Sequence, residues 1–322
     1  MRPLVLITGP TASGKSALAL ALAQRECGEI LSCDSIAVYR GMDLGSAKPS
    51  AADRALVPHH LLDLYDPDQT CTAGDYARAG RTVLAQLASR GVLPIVSGGT
   101  GLYARALIEG LSPAPTRNPA IRTLLTARAS RRGPAHLHRT LSRFDPAAAA
   151  RIHPNDTAKI IRAIEVSIAG RAPMSEQWTQ HAREPLAGYR ILRINLDPPR
   201  PELYARINQR AQQMFSHGLI AETESLIAQY GSDCPAFASL GYRQAAAVLS
   251  GGLTESEAIA AAQQGHRNYA KRQLTWFRRA ALLHPTHTLN LAGDHPNAVA
   301  QALTFLQPEL HRRYSPVRLS RA

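Results

Sequence analysis

Cysteine is scarce. Cys27, Cys33, Cys71 and Cys234 are the only four in 322 residues, and no two form a C-x-x-C pair. That excludes a disulfide framework and leaves no zinc-ligand spacing, so the thiols are expected to be reduced. Long apolar runs are lacking too. None approaches the roughly 18 residues that a membrane span needs, and the N-terminus has no charged start, apolar stretch and small-residue cleavage site. The expectation is a cytoplasmic protein. No internal repeat is visible, and the 45 % apolar content is ordinary for a folded chain of one or two domains.

Acid is in deficit as well. The chain carries 37 Lys and Arg against 24 Asp and Glu, a net +13, which favours a polyanionic partner through counterion release and electrostatic steering. The alternative is solubility alone, but the distribution is uneven. Arg117 to Arg143 holds seven arginines and no acid, and GHRNYAKRQLTWFRR (265–279) interleaves five basic residues with Tyr269, Trp276 and Phe277. Both stretches have the texture of surfaces that meet nucleic acid.

What is present along the first hundred residues is an alternation of short apolar runs with helical segments, as in a parallel sheet wrapped by helices. Leu4–Ile7 reads as a strand, 16–25 as a helix, 29–33 as a strand, 72–90 as a helix and 92–96 as a strand ending in Gly98-Gly99. A Pro-rich joint at 112–116 precedes an Arg- and Ala-rich helical stretch to about residue 181. Strand character returns at 189–196 (YRILRINL), followed by long helices over 201–230 and 255–283. The basic end, from His311 to Arg321, reads as a disordered tail.

Between the first strand and helix lies Gly9-Pro10-Thr11-Ala12-Ser13-Gly14-Lys15-Ser16, which fits G-x-x-x-x-G-K-[ST] in the context that motif requires. Its glycines let backbone N–H groups turn onto phosphate oxygens at a helix N-terminus, Lys15 adds a charge, and the Ser16 hydroxyl is a Mg²⁺ ligand candidate. The fold class is therefore α/β, a P-loop NTPase-like parallel sheet core with an inserted small helical domain. The core spans 1–116 and 184–322, the second part carrying long C-terminal helices, and the insertion spans 117–183. No acid after an apolar strand is a clean match for the metal-holding carboxylate of an NTPase. Asp34 and Asp63 are the candidates. Asp34, at a strand end on the same sheet edge as the P-loop, serves as a metal holder, a general base or simply a cap. The glycines before Thr100 allow either close approach of a ligand or tight strand–helix packing. Arg162 and Glu165, three apart on a predicted helix, fit a surface ion pair.

Taken together the motifs resemble one family over nearly the full length, the bacterial tRNA dimethylallyltransferases, or tRNA isopentenyltransferases. GPTASGKS, DSIAVYRGMDLGSAKP (34–49), PHHLLD (58–63), GGTGLY (98–103), RIHPND (151–156) with RAIE (162–165), GYRQ (241–244) and KRQLTWFR (271–278) occur in family order. The resemblance implies transfer of a dimethylallyl group from dimethylallyl diphosphate to N6 of adenosine 37, beside the tRNA anticodon. The P-loop residues Gly9 to Ser16 then hold the diphosphate with Mg²⁺ as cofactor. Asp34 takes the amine proton, Thr100 lies near the reacting centre, and Arg210 reaches the diphosphate, with Arg206 at a second family position.

The same resemblance assigns tRNA contacts to several segments. They are Asp34, Ser35, Ile36 and Ala37, then Thr100 and Arg122, then Ala158, Lys159, Ile160, Ile161 and Arg162 of the insertion. Ala238, Ser239, Leu240, Gly241, Tyr242 and Arg243 follow, and finally Lys271, Arg272, Gln273, Leu274, Thr275, Trp276, Phe277 and Arg278. Two positions depart from the pattern. Ala37 stands where Gln is common, and Lys159 where Arg is, which keeps the charge and loses the bidentate fork. The chain also ends without the zinc-finger extension of eukaryotic relatives, and a monomer is expected. Two rival readings of the P-loop remain at this stage, a nucleoside or small-molecule kinase and a non-catalytic RNA-binding protein switched by ATP.

Overall fold

A computed structural model of the chain describes residues 1–180, 183–279, 287–292 and 295–311. The chain divides into two compact units, Met1–Glu109 with Leu186–Ala322, and Gly110–Pro185. The second unit thus begins ahead of the Pro-rich joint.

The first unit is built on six strands: β1 (Arg2–Thr8), β2 (Gly28–Ser32), β3 (His59–His60), β4 (Leu93–Ser97), β5 (Tyr189–Leu196) and β6 (Thr288–Leu291). They pair in the order β3-β2-β4-β1-β5-β6, all parallel. The central strand β1 sets Val5 beside Ile95 on one side and Leu192 on the other. Its run is continuously apolar because both faces are covered. Leu4 and Leu6 enter one core while Val5 and Ile7 enter the other, the alternation a pleated strand imposes.

The helices that precede the second unit are α1 (Lys15–Arg25), α2 (Ala51–Leu56), α3 (Ala73–Arg90) and α4 (Gly101–Ile108). The second unit comprises α5 (Pro119–Arg132), α6 (Pro134–Phe144), α7 (Pro146–Arg151), α8 (Thr157–Ala169) and α9 (Met174–Gln180). After it come α10 (Arg200–Ser216), α11 (Leu219–Tyr230), α12 (Tyr242–Leu249), α13 (Glu255–Arg279) and α14 (His295–His311). Helices α1 and α14 cover one sheet face, and α3, α4 and α10 to α13 contribute to the other core.

Several expectations change. The stretch 201–230 is two helices, because Gly218 at φ +102 adopts a backbone that ends one helix and admits the next. The strands β3 and β6, two and four residues long, and α14 were not anticipated. The expected end of the last long helix near residue 283 and the basic tail beyond His311 lie outside the described residues. Among the described residues no helix is long and apolar enough to cross a membrane.

The second unit has its own core, including Leu137, Leu141, Ile160, Ile161 and Ile164. Glu165 is fully buried in it, which corrects the surface-pair reading. Its carboxylate accepts hydrogen bonds from Asn118 N (2.6 Å), Arg162 Nη1 (2.9 Å) and Arg122 Nη1 (3.1 Å). Burial alone would raise its pKa, and these donors outweigh it and hold the carboxyl below its ordinary range. Around this hub Arg117, Arg128, Arg131, Arg132, Arg139 and Arg143 stand exposed.

Candidate active site

Three parallel strands deliver their C-terminal ends to one edge, where open α/β sheets bind ligands. β1 leads into the P-loop, β2 into Cys33-Asp34, and β4 into Gly98-Gly99. There a cavity of about 570 Å³ is lined by the P-loop residues Thr11, Lys15 and Ser16, by Asp34 to Ala37, and by Arg210, Arg243, Tyr269, Arg272 and Gln273.

The loop's backbone is bent inward at three positive-φ residues, Gly9 (+151°), Ala12 (+62°) and Gly14 (+93°). Gly9 is required by contact, since a Cβ there would come within 2.7 Å of Leu196 O on β5. Lys15 folds back so that Nζ donates to Pro10 O at 2.5 Å. Burial and the neighbouring Arg210 push its pKa down to about 7, against the opposing pull of Asp34. Ser16 is exposed at the start of α1 with its side chain on the cavity.

Asp34 Oδ1 accepts hydrogen bonds from Ile36 N (2.8 Å) and Ala37 N (3.2 Å). The turn after β2 therefore fixes the carboxylate, and no hydrogen bond among the described residues engages Oδ2. Arg210 on α10 is partly buried, makes no ion pair among the described residues, and reaches Thr11 Oγ1 and Ser46 O only at 3.5 Å. Burial lowers its pKa while Asp34 opposes. A desolvated guanidinium without a carboxylate is a site for an anion. The alternative acid, Asp63, is committed elsewhere, to Lys48 at 2.6 Å and Arg54 at 2.9 Å. A thiolate is ruled out at Cys33, whose thiol burial pushes up to about 12.

Other expected residues have different surroundings. Thr100 does not line the cavity. Its hydroxyl accepts from Ser35 N at 3.1 Å, so it braces the Asp34 turn from behind. The glycines beside it are required by packing, since a Cβ at Gly98 would meet Cys33 O at 2.0 Å, at Gly99 Gln273 Nε2 at 2.1 Å, and at Gly101 Trp276 Nε1 at 2.1 Å, and Gly98 and Gly99 also line the cavity.

Among the proposed RNA contacts, the side chains of Ala37, Ile160, Ile161, Tyr242, Gln273, Leu274 and Phe277 are buried. Ile160, Ile161, Tyr242, Leu274 and Phe277 turn the apolar face of their helices to a core, whereas Ala37 and Gln273, though buried, line the cavity. Ala158, Lys159, Ala238, Arg243, Lys271, Arg272, Thr275 and Arg278 are exposed, with Arg278 also paired to Asp197 at 2.9 Å. Arg122 and Arg162 are about one-third exposed while bound to Glu165.

Sequence reasoning missed His266 and read Tyr269 only as an aromatic of a nucleic-acid surface, although helical spacing carried the signal. His266, Tyr269 and Gln273 are i, i+3 and i+7 on α13 and share the face that lines the cavity. Arg272 lies over the Tyr269 ring, 5.6 Å from its centroid.

For a divalent ion, no group of three or more His, Cys, Asp or Glu side chains exists among the described residues. Mg²⁺ needs no such cage, since one or two protein oxygens, substrate phosphates and water complete its octahedron. The Ser16 hydroxyl and the Asp34 carboxylate, both facing the cavity, fit that donor set.

A family model described as IPP transferase matches residues 37–280, and one described as Isopentenyl transferase matches residues 2–58. A tRNA dimethylallyltransferase of Koribacter versatilis is 59 % identical over 94 % of the chain and 98 % of its own length. One from Anaeromyxobacter dehalogenans is 50 % identical over 86 % and 92 %. Among solved structures, the tRNA isopentenylpyrophosphate transferase of Bacillus halodurans superposes with a TM-score of 0.70 at 36 % identity, covering 97 % of this chain and 98 % of that one. A eukaryotic dimethylallyltransferase acting on tRNA shares the fold, with a TM-score of 0.81 at 23 % identity.

Proposed function

The chain belongs to the IPP transferase family, and from that membership we infer how its own residues move a dimethylallyl group from dimethylallyl diphosphate to tRNA, at N6 of adenosine 37. It is an enzyme, a prenyltransferase, and the kinase reading falls away with the family. The observation that carries the mechanism is the meeting of an anion cradle, a partly buried Arg210 without a carboxylate partner and the anchored carboxylate of Asp34 in one cavity.

The P-loop holds the diphosphate. As the allylic C–O bond breaks, its electron pair goes to the bridging oxygen, and Lys15 and Arg210 stabilise the charge where it develops. Were Mg²⁺ bound, the Ser16 hydroxyl would hold it, and it would supply Lewis-acid stabilisation of the diphosphate oxygens. The N6 amine forms the new C–N bond and gives up one proton, which the open Oδ2 of Asp34 accepts as general base. Thr100 keeps that carboxylate in place through Ser35. The exposed arginines of Gly110–Pro185 and the exposed positions of α13 supply the sequence-independent attraction for the tRNA backbone.

The test is direct. Protein incubated with dimethylallyl diphosphate and unmodified tRNA should add one isoprenoid unit to the anticodon-loop adenosine, read by mass spectrometry of nuclease digests. A digest without that mass shift would overturn the reading.

A further inference from the structure

The cavity wall holds a second, unused pairing. A small recess beside the P-loop is lined by Thr11, Arg210 and His266 among apolar neighbours such as Ile207 and Met214. His266 Nε2 is buried there without a hydrogen-bond partner. Arg210, in the same recess, has only two long contacts for a guanidinium of five donors. One group lacks a donor and the other lacks acceptors. An unsatisfied buried nitrogen is costly, and native interiors rarely keep one without a use.

We propose that His266 is the positioning residue for Arg210: its neutral ring presents the Nε2 lone pair to the guanidinium through one buried water, and so aims Arg210 at the diphosphate. This rests on the prenyltransferase reading for the identity of the anion. Imidazole is suited to the task. Arginine is always a donor, so its orienting partner must accept, and a carboxylate in this place would cancel the charge meant for the diphosphate. A neutral imidazole orients without neutralising. Burial and the charge of Arg210 push His266 down to about 4, which keeps the ring an acceptor at neutral pH.

The consequence is a coupling between two residues that is separable from folding. Binding of inorganic pyrophosphate, followed by calorimetry, should weaken about 5- to 30-fold in His266→Phe. The KM for dimethylallyl diphosphate should rise in parallel and the KM for tRNA should stay unchanged. His266→Gln, which restores an acceptor oxygen, should recover most of the affinity. In an Arg210→Ala background the His266→Phe change should have no further effect, the signature of one residue acting through the other.

Equal pyrophosphate affinity in wild type and His266→Phe, additive losses in the double variant, or absence of pyrophosphate binding by the wild type would each overturn the inference. If His266→Phe fails to fold, the Gln variant alone and in the Arg210→Ala background decides, since an intact acceptor predicts near-wild-type binding. Pyrophosphate binding with no prenyl transfer would instead remove the functional reading and leave the pairing standing.

Discussion

Gln273 holds Thr11 in place: its Oε1 accepts a hydrogen bond from Thr11 N at 2.8 Å, and its Nε2 donates to Gly99 O at 3.0 Å. A single buried amide on α13 thereby ties the P-loop to the end of β4. One backbone N–H of the loop is already occupied, so on the proposed mechanism the diphosphate is left the remaining amides and the Lys15 and Arg210 charges.

Replacing Gln273 by Leu leaves Thr11 N and Gly99 O unsatisfied, at a cost of about 1–3 kcal/mol of stability. The urea midpoint should fall while the slope of the transition stays the same. Gln273→Glu keeps the acceptor, loses the donor and places an anion beside the phosphate site, so it should weaken pyrophosphate binding more than Leu does. Tighter binding in the Glu variant would contradict this placement of the amide.

On the proposed mechanism Asp34 has two separable jobs, one for each oxygen. Asp34→Asn keeps an oxygen acceptor for the N–H groups of Ile36 and Ala37 but takes up no proton. Turnover should fall by about 10² or more, with tRNA affinity nearly intact. Asp34→Ala should lose as much turnover and also loosen the turn. Single-turnover rates in Asp34→Asn equal to wild type would remove Asp34 as the base.

Much of this site was legible in the residues themselves. The apolar run of β1, the spacing of GPTASGKS and the placement of Asp34 after a second strand located the P-loop and the carboxylate on one sheet edge. The glycines at 98, 99 and 101 were ambiguous, because space for a ligand and space for a neighbour leave the same mark in a sequence. The positions of Cys33 O, Gln273 and Trp276 show the packing requirement at all three, and Gly98 and Gly99 line the cavity as well. Gln273 and Phe277 stand in a basic stretch that the resemblance assigns as a whole to tRNA, although a helix hides one of its faces. Glu165 is the mirror case: a spacing of three from Arg162 is the same on a surface as in a core, and burial is set by residues such as Asn118, 47 positions away.

The pH dependence of diphosphate binding follows from Lys15. Its pKa in the free site is about 7, and an anion bound beside it raises that value, so between the two values binding takes up a proton. Affinity for pyrophosphate should therefore fall as pH rises above 7, by as much as about tenfold per unit. Lys15→Met should bind weakly at pH 6 and lose this part of the slope, while titration of the ligand itself is common to both proteins. Identical slopes in the two proteins would show that Lys15 does not take up the proton.

Glu165 makes the second unit sensitive to acid through the two arginines it orients. Its folded-state pKa is depressed, so its contribution to stability is present above the unfolded value and is lost as pH falls through the folded one. Glu165→Gln should remove that part of the acid dependence and cost about 1–3 kcal/mol, discounted for the one-third exposure of Arg122 and Arg162. It should also free both guanidinium groups to move. Because neutralising Glu165 makes this unit more positive, tRNA affinity at low salt should hold or rise, while discrimination between tRNA and an unrelated RNA should fall as the arginines lose their fixed geometry. Filter binding with both RNAs across a salt series separates the two effects. Unchanged discrimination would mean that Glu165 serves only the core of this unit and has no part in RNA recognition.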